Sequence, residues 1–502
     1  MNLSITGNYL KIVTPLKRTK SIFALSIFGL IIGLFNIFQA NSIYSQKLSL
    51  ITFIWYCFSY LFVFLIIDDI SLFLKIRFFL ISILSFIEAI FLSFNINIHL
   101  APMASWLITN DMRFVFITAG IIASSSTLIG WILPYLIRIR IPRYRIKYYL
   151  SPILVSYICL FLGILYFISQ GGFLTQNNIY GSKNSFDIGL SVLNIFQAFC
   201  LSYILVFPAS FKDKRNSLYI TFISFILGPL GGSRADFVIP IFLLFYILYK
   251  LTNNKSNVKE KKTIYKILLK SIFLFFSLFI IYFILIFVSV YRANPNIVDT
   301  FFKLFGQNPL EFLFQEQFLK GDLRNIGSGL YIINFETGGL IANTFYGGLI
   351  TKPFENYPEL GISSYLNWFN NILPRFFGFS RVAGLEYFLN PYVDDFSLNI
   401  ISMTKGGVHE ITEAFLNFGY FGTFVVPLIW STLFSTFEKN IIKTKELYKS
   451  KKVIIDFYAF ISVVFLIMSF RGIFYQNFTY FRAITIIILM VPFIKRFQNE
   501  SF

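Results

Sequence analysis

Charged residues are scarce in this sequence: Asp, Glu, Lys and Arg make up 13% of its 502 residues, about half the share found in soluble domains. Hydrophobic residues make up 56%. Such a composition is typical of a protein that crosses a membrane many times, because a soluble fold needs a more polar surface. The net charge of +19 therefore does not indicate nucleic acid binding, since Lys and Arg also accumulate in the cytoplasmic loops of membrane proteins.

Residues that build metal sites and disulfides are few as well. The chain has two histidines, His99 and His409, and three cysteines, all within apolar stretches. A disulfide framework or a zinc site is therefore not expected. The sequence contains no Walker A loop, dinucleotide-binding glycine motif, nucleophile elbow or zinc-protease motif, so ATP-driven transport and serine or zinc hydrolysis lose support. We expect no cofactor and no metal.

Long apolar segments recur along the chain and predict an all-α polytopic membrane protein with about twelve transmembrane helices. Glu88 lies inside the third segment, and we expect it to face the interior of the bundle. The segments lie near 21–40, 48–67, 78–97, 114–136, 149–169, 188–210, 217–231, 235–251, 271–290, 411–434, 453–470 and 479–494.

Basic residues predict the orientation of these segments. One set of alternate loops holds 29 of the 43 Lys and Arg residues, which places those loops and both termini in the cytoplasm. The chain then divides into a bundle of about nine spans over 1–290, a large extracytoplasmic loop with interfacial helices over 291–410, and about three spans over 411–502.

Arginines stand out among the basic residues on the outer side. A guanidinium group binds phosphate through two parallel hydrogen bonds, so these side chains are candidates for binding pyrophosphate. Pairing with a nearby acid such as Asp236, or anchoring at the membrane interface, is the alternative for each of them. Three lie at the predicted outer membrane boundary and two in the aromatic part of the large loop: Arg234, Arg292 and Arg471, then Arg375 and Arg381.

The stretch 406–422 (GGVHEITEAFLNFGYFG) carries proton-accepting groups where the large loop runs back into an apolar span. His409, Glu410 and Glu413 all lie within it, and His409 and Glu413 would share a face on a helix. Titratable groups at the mouth of a span are costly to desolvate and therefore indicate a function. The alternative is a solvated helix start whose acids are favoured by the helix dipole.

Three features together resemble the Wzy-type O-antigen and capsule polymerases, which are related to the O-antigen ligases. The first is an outer Gly-Ser-Arg turn at 232–234, and the second is Tyr291-Arg292 before the large loop. The third is a loop exit of the form E-x-x-x-N-F-G-x-x-G at 413–422. The Arg-x10-Gly pattern described for some polymerases is absent at all eight outer arginines, and the residues after His409 differ from the ligase pattern.

The resemblance implies a GT-C-like membrane glycosyltransferase of the bacterial cytoplasmic (inner) membrane, with its active site facing the periplasm or cell exterior. Its donor and acceptor would be undecaprenyl-pyrophosphate-linked glycans, joined without a metal during O-antigen, capsule or exopolysaccharide synthesis. Arg234, Arg292 and Arg471, with Arg375 and Arg381, would bind the pyrophosphate, and His409, Glu413 or Glu410 would serve in catalysis. The implied partners are the lipid bilayer, a chain-length regulator and a flippase, and no nucleic acid.

Two alternatives remain open at this point. An O-antigen ligase would transfer finished glycan to another acceptor by the same chemistry. A lipid-linked oligosaccharide flippase or transporter would also have about twelve spans with interior charges. It would not need an outer loop of roughly 115 residues, which is far longer than the commonest connections between helices.

The distribution of basic residues generates a direct test. Cysteines introduced one at a time at positions 145 and 259 should react with an impermeant thiol reagent only from the cytoplasmic side. Cysteines at 183 and 355 should react from the outside. Labelling of position 355 from the cytoplasm would overturn the orientation and every functional expectation built on it.

Overall fold

The computed structural model describes seven helices and two short strands, over residues 15–39, 45–66, 72–95, 110–137, 145–147, 151–169, 200, 204, 211–230, 410–447 and 454–456. The helices are α1 (Pro15–Phe38), α2 (Ser45–Tyr60), α3 (Leu72–Ser93), α4 (Asn110–Leu136), α5 (Pro152–Ser169), α6 (Phe211–Leu230) and α7 (Glu410–Leu447). A π-helical turn, Leu61–Ile66, extends α2. The strands are β1 (Arg145–Lys147) and β2 (Ile454–Asp456).

Four of the described helical segments are long and apolar enough to cross a membrane: Lys20–Phe38, Ser45–Phe64, Arg113–Leu136 and Asn417–Thr436. Each overlaps a span predicted from the sequence. For the described residues, the predicted helical fold of a membrane protein is therefore confirmed. The number of twelve spans, their orientation and the division at 290 and 410 stay predictions.

Local capping explains where two helices begin and end. At the start of α5, the hydroxyl of Ser151 accepts a hydrogen bond from the backbone N–H of Leu154 (3.3 Å), as an N-cap serine does. At the end of α3, Asn95 has a φ of 50°, a left-handed conformation that Asn tolerates well and that commonly ends helices. The helix therefore ends at Ser93, four residues before the end of the predicted span.

Helices α1 to α4 and residues 414–436 of α7 form one compact unit. Almost every residue of α4 is buried, so this helix forms the centre of the unit. Hydrogen bonds between side chains connect α2 to α3: Tyr56 to Ser85 (2.6 Å) and Tyr60 to Ser82 (2.7 Å). Because residue numbers rise on α2 as they fall on α3, the two helices run antiparallel.

Small residues let α4 approach its neighbours closely. Gly120 lies against Ser85 of α3, so a Cβ at this glycine would collide with that side chain. Gly33 of α1 packs against Ile122 of α4, where a Cβ would lie 2.6 Å from a side-chain carbon. Close backbone approach at small residues is the usual way in which membrane helices associate, since lipid provides no hydrophobic driving force.

Helices α5 and α6 belong to a second compact unit. The hydroxyl of Ser224 donates to the carbonyl oxygen of Cys159 (3.1 Å), and the buried Cys200 lies between Ser156 and Thr221. Residues 156 and 159 of α5 thus lie beside residues 221 and 224 of α6, so residue numbers rise in the same direction along both helices. The two helices therefore run parallel.

The two strands belong to the second unit as well and pair antiparallel, with Arg145 opposite Asp456 and Lys147 opposite Ile454. The sequence predicted a helical span from 453, so the strand at 454–456 is a local difference. Pairing with β1 provides hydrogen-bond partners for the backbone of these residues, and the β-branched Ile454 and Ile455 favour an extended conformation.

Candidate active site

Two carboxylates lie in the first turn of α7, at Glu410 and Glu413. Both are buried within the protein, with 6% and 1% of their surface exposed. Their spacing of three residues puts them on one face of the helix, and the partial positive charge of the helix N-terminus favours negative groups there. Buried acids in a chain that crosses a membrane are rare and usually functional. These two are therefore the strongest candidates among the described residues for proton transfer.

The helix breaks directly after this acidic segment. Phe418 and Gly419 depart from helical geometry, with φ and ψ of −141° and 18° at Phe418 and of 59° and −147° at Gly419. The conformation of Gly419 is one that essentially only glycine adopts, because a Cβ would collide with the neighbouring backbone. The segment Glu410–Asn417 is therefore set at an angle to the rest of α7.

The broken helix folds back on itself. A Cβ at Gly422 would collide with the carbonyl group of Ala414, although eight residues of unbroken helix would separate the two positions by about 12 Å. The rings of Phe415 and Tyr420 meet edge to face across the break, 5.1 Å apart. The two glycines of the motif thus have different roles: Gly419 permits the turn, and Gly422 permits the close approach.

The remainder of α7 is held against α4. The hydroxyl of Ser126 donates to the carbonyl oxygen of Phe424, and that of Ser435 donates to the carbonyl oxygen of Trp131 (2.6 Å). A Cβ at Gly130 would lie 2.5 Å from the carbonyl oxygen of Leu428, so the backbones touch there. Side-chain-to-backbone hydrogen bonds and a small residue together fix both the distance between the helices and their axial register.

The remaining predicted site residues are not among those described. His409 immediately precedes α7, so its predicted sharing of a helix face with Glu413 stays a prediction. Asn417, which belongs to the motif but was not predicted as a site residue, is buried on α7, four positions after Glu413. The five predicted pyrophosphate-binding arginines also lie outside the described residues: Arg234, Arg292, Arg375, Arg381 and Arg471.

A buried ion pair between Glu88 and Arg113 was missed by the sequence analysis. Nη1 of Arg113 lies 3.4 Å from Oε2 of Glu88, and the two side chains are 10% and 0% exposed. A signal was present in the sequence: α3 and α4 are consecutive, so Glu88 near the end of one meets Arg113 near the start of the other.

The chemistry that the described site permits is acid–base chemistry. A carboxylate in a buried position can accept a proton from a bound hydroxyl group. Within the described ranges, no group of three or more His, Cys, Asp or Glu side chains comes together in a way that could hold a metal ion. The residues available at the start of α7 are thus proton acceptors and a buried amide.

Comparison with known proteins provides no assignment. No protein-family model, no curated protein and no solved structure matches this chain. The described helices define the broad class, a membrane-embedded helical protein. Its chemistry must therefore be inferred from its own residues.

The geometry of the break predicts the effect of adding a single methyl group. Gly419→Ala forces alanine into a glycine conformation and should destabilise the protein by about 1–3 kcal/mol. Gly422→Ala places a Cβ against a backbone carbonyl that cannot rotate away, so it should lower the melting temperature at least as much. Phe421→Ala is the control, because Phe421 is 70% exposed and lies between them.

Thermal unfolding of the purified variants in detergent measures these effects. If both glycine variants have the melting temperature of the wild type, α7 is not broken in this way.

Proposed function

We propose that this protein polymerises undecaprenyl-pyrophosphate-linked oligosaccharide repeat units on the outer face of the bacterial cytoplasmic membrane. The observation that carries the proposal is the pair of buried carboxylates, Glu410 and Glu413, at the start of a helix that breaks within the motif. The large loop is predicted to re-enter the membrane at this point. An acid that must accept a proton from a sugar hydroxyl needs such a place, between the aqueous outer side and the bilayer.

The parallel arrangement of α4 and α7 supports the predicted alternation of the spans. Residues 126, 130 and 131 of α4 meet residues 424, 428 and 435 of α7, so residue numbers rise together along the two helices. Parallel membrane helices require an odd number of crossings between them. The five spans predicted between 149 and 290 satisfy this condition, and they put residue 424 on the side at which α4 begins.

Two further contacts support the same alternation. Helices α5 and α6 run parallel, which requires a crossing between them, and the predicted span 188–210 with the buried Cys200 provides one. The β1–β2 pairing brings residues 454–456, at the start of the predicted span 453–470, beside the loop 138–147 that the basic residues assign to the cytoplasm. These contacts are independent of the charges from which the orientation was predicted.

The proposed reaction is a metal-independent glycosyl transfer. A hydroxyl oxygen of the acceptor repeat unit bonds to the anomeric carbon of the donor glycan, and the bond from that carbon to undecaprenyl pyrophosphate breaks. The hydroxyl proton passes to a carboxylate of Glu413 or Glu410 or to the imidazole of His409. No nucleotide is consumed, because the pyrophosphate already activates the donor.

The departing pyrophosphate needs fixed positive charge, since negative charge develops on it as the bond breaks. We assign this role to Arg234, Arg292 and Arg471, and assign Arg375 and Arg381 to binding the lipid-linked substrate at the interface. Arginine suits both tasks, because its planar donors match two phosphate oxygens at once. A chain-length regulator and a flippase that delivers repeat units are the partners that such a reaction requires in the cell.

The identity of the base is testable in cells. Glu413→Gln keeps the shape of the side chain but cannot accept the proton, and His409→Ala removes the imidazole. Each should lower polymer formation by roughly 10²–10⁴-fold while lipid-linked repeat units accumulate on the outer face. Glu446→Gln, at the opposite end of α7, is the matched control and should polymerise normally.

Polymer length on gels and the side on which repeat units accumulate, probed with an impermeant lectin, measure the outcome. Accumulation on the cytoplasmic face would replace the proposal with a flippase. Wild-type polymer from both variants would show that neither Glu413 nor His409 is the base.

A further inference from the structure

The Glu88–Arg113 ion pair lies in the interior of the unit formed by α1 to α4 and residues 414–436 of α7. Both side chains are buried, and 3.4 Å separates their closest charged atoms. Desolvating two charges costs more free energy than a typical pair recovers, so such pairs rarely add stability compared with apolar residues. What a buried pair does provide is geometry, because other registers of the two helices would leave a charge uncompensated. The pair therefore fixes the axial register of α4 against α3.

The position of α4 in turn determines the position of α7. Three contacts join them: the Ser126 hydroxyl to the carbonyl oxygen of Phe424, the Ser435 hydroxyl to that of Trp131, and Gly130 against Leu428. All three involve the backbone of one helix, which cannot adapt as a flexible side chain would. A shift of α4 along its axis would therefore move α7 with it or break these contacts.

A close contact connects residues 422–435 of α7 to its acidic segment, Glu410–Asn417. Gly422 lies against the carbonyl group of Ala414 across the break in the helix, and Glu413 immediately precedes Ala414. A displacement of residues 422–435 would therefore act on the carbonyl group of Ala414, to which Glu413 is joined by a peptide bond. Catalysis is sensitive to such displacements, since a misplacement of about 1 Å can cost about 10²-fold in rate.

We infer that Glu88 and Arg113 are positioning residues for the carboxylate of Glu413, acting through the register of α4 and its contacts with α7. The inference rests on the proposed function, because it takes Glu413 to be the group that must be placed. It assigns a role to an acid and an arginine that lie outside the motif at 413–422.

Single and paired charge changes test whether the Glu88–Arg113 pair affects the polymerisation rate. Glu88→Gln and Arg113→Gln should each lower the polymerisation rate per folded molecule by about 10²-fold. The exchanged pair, Glu88→Arg with Arg113→Glu, restores opposite charges at the same two places and should recover most of the rate. If either single variant does not accumulate, Arg113→Lys with Glu88→Asp keeps both charges on shorter side chains and should give an intermediate rate. Wild-type rates in the single variants would overturn the inference.

A double-mutant cycle tests whether the effect passes through α4 and α7. Ser126→Ala and Ser435→Ala together remove both hydrogen bonds to the backbone carbonyls. The loss of polymerisation rate is measured for Glu88→Gln alone, for the double serine variant alone and for the triple variant. If the ion pair acts through these contacts, the triple variant should lose little more rate than the more impaired of the other two. If the fold-loss of rate in the triple variant equals the product of the two separate fold-losses, the ion pair acts independently of α7. That result would also overturn the inference.

Ser49→Ala is the matched control for the cycle. Ser49 is buried in the same unit, and its hydroxyl donates to the carbonyl oxygen of Ser45 in its own helix (2.8 Å). The fold-change in polymerisation rate caused by Ser49→Ala should multiply with the fold-change caused by Glu88→Gln. Two outcomes are distinguishable: a wild-type protein that makes no polymer defeats the proposed function, whereas a loss of polymer in Glu413→Gln with normal Glu88 and Arg113 variants defeats the inference alone. Normal polymerisation by Glu413→Gln also defeats the inference, because Glu413 is then not the group that must be placed.

Discussion

The packing of α7 on α4 is the contact on which the candidate site depends. A membrane helix that breaks must find hydrogen-bond partners for the backbone groups that leave the helical pattern, because lipid offers none. The break at Phe418 and Gly419 is itself partly exposed, since Phe418 is 38% exposed and a Cβ at Gly419 would meet no atom within 4 Å. Beyond the break, the buried helix α4 holds the rest of α7 through Ser126 and through the close approach at Gly130.

Buried charge is the second constraint on this structure. The chain has few acids for its length, and three of those described, Glu88, Glu410 and Glu413, are almost completely buried. Removing a carboxylate from water is expensive, so a buried acid needs interactions that offset the cost. Glu88 has Arg113 as an ionic partner, and we infer that the pair has a positioning role. Glu410 and Glu413 lie at the positive end of a helix, which favours their charge, and the proposed proton transfer is assigned to them.

Patterns within a single segment could be predicted from the sequence, whereas contacts between segments could not. The apolar runs predicted α4 and the start of α7 to within a few residues, because burial of a long apolar stretch needs no partner to be identified. The Glu88–Arg113 pair requires the register of two helices, which hydropathy does not contain. The break was also missed, since an Asn-Phe-Gly sequence is compatible with an unbroken helix packed closely at its glycines. His409 and the five arginines stay predictions.

Polymer synthesis by the purified protein is the most direct test of the central claim. The protein would be reconstituted in vesicles with a lipid-linked repeat unit, without any nucleotide and with excess EDTA. We predict a ladder of glycans spaced by one repeat unit, with one undecaprenyl pyrophosphate released for each bond formed. Glycosyl transfer that requires a divalent metal would contradict the proposed chemistry. Movement of the lipid-linked unit across the bilayer without any increase in glycan length would contradict the account as a whole.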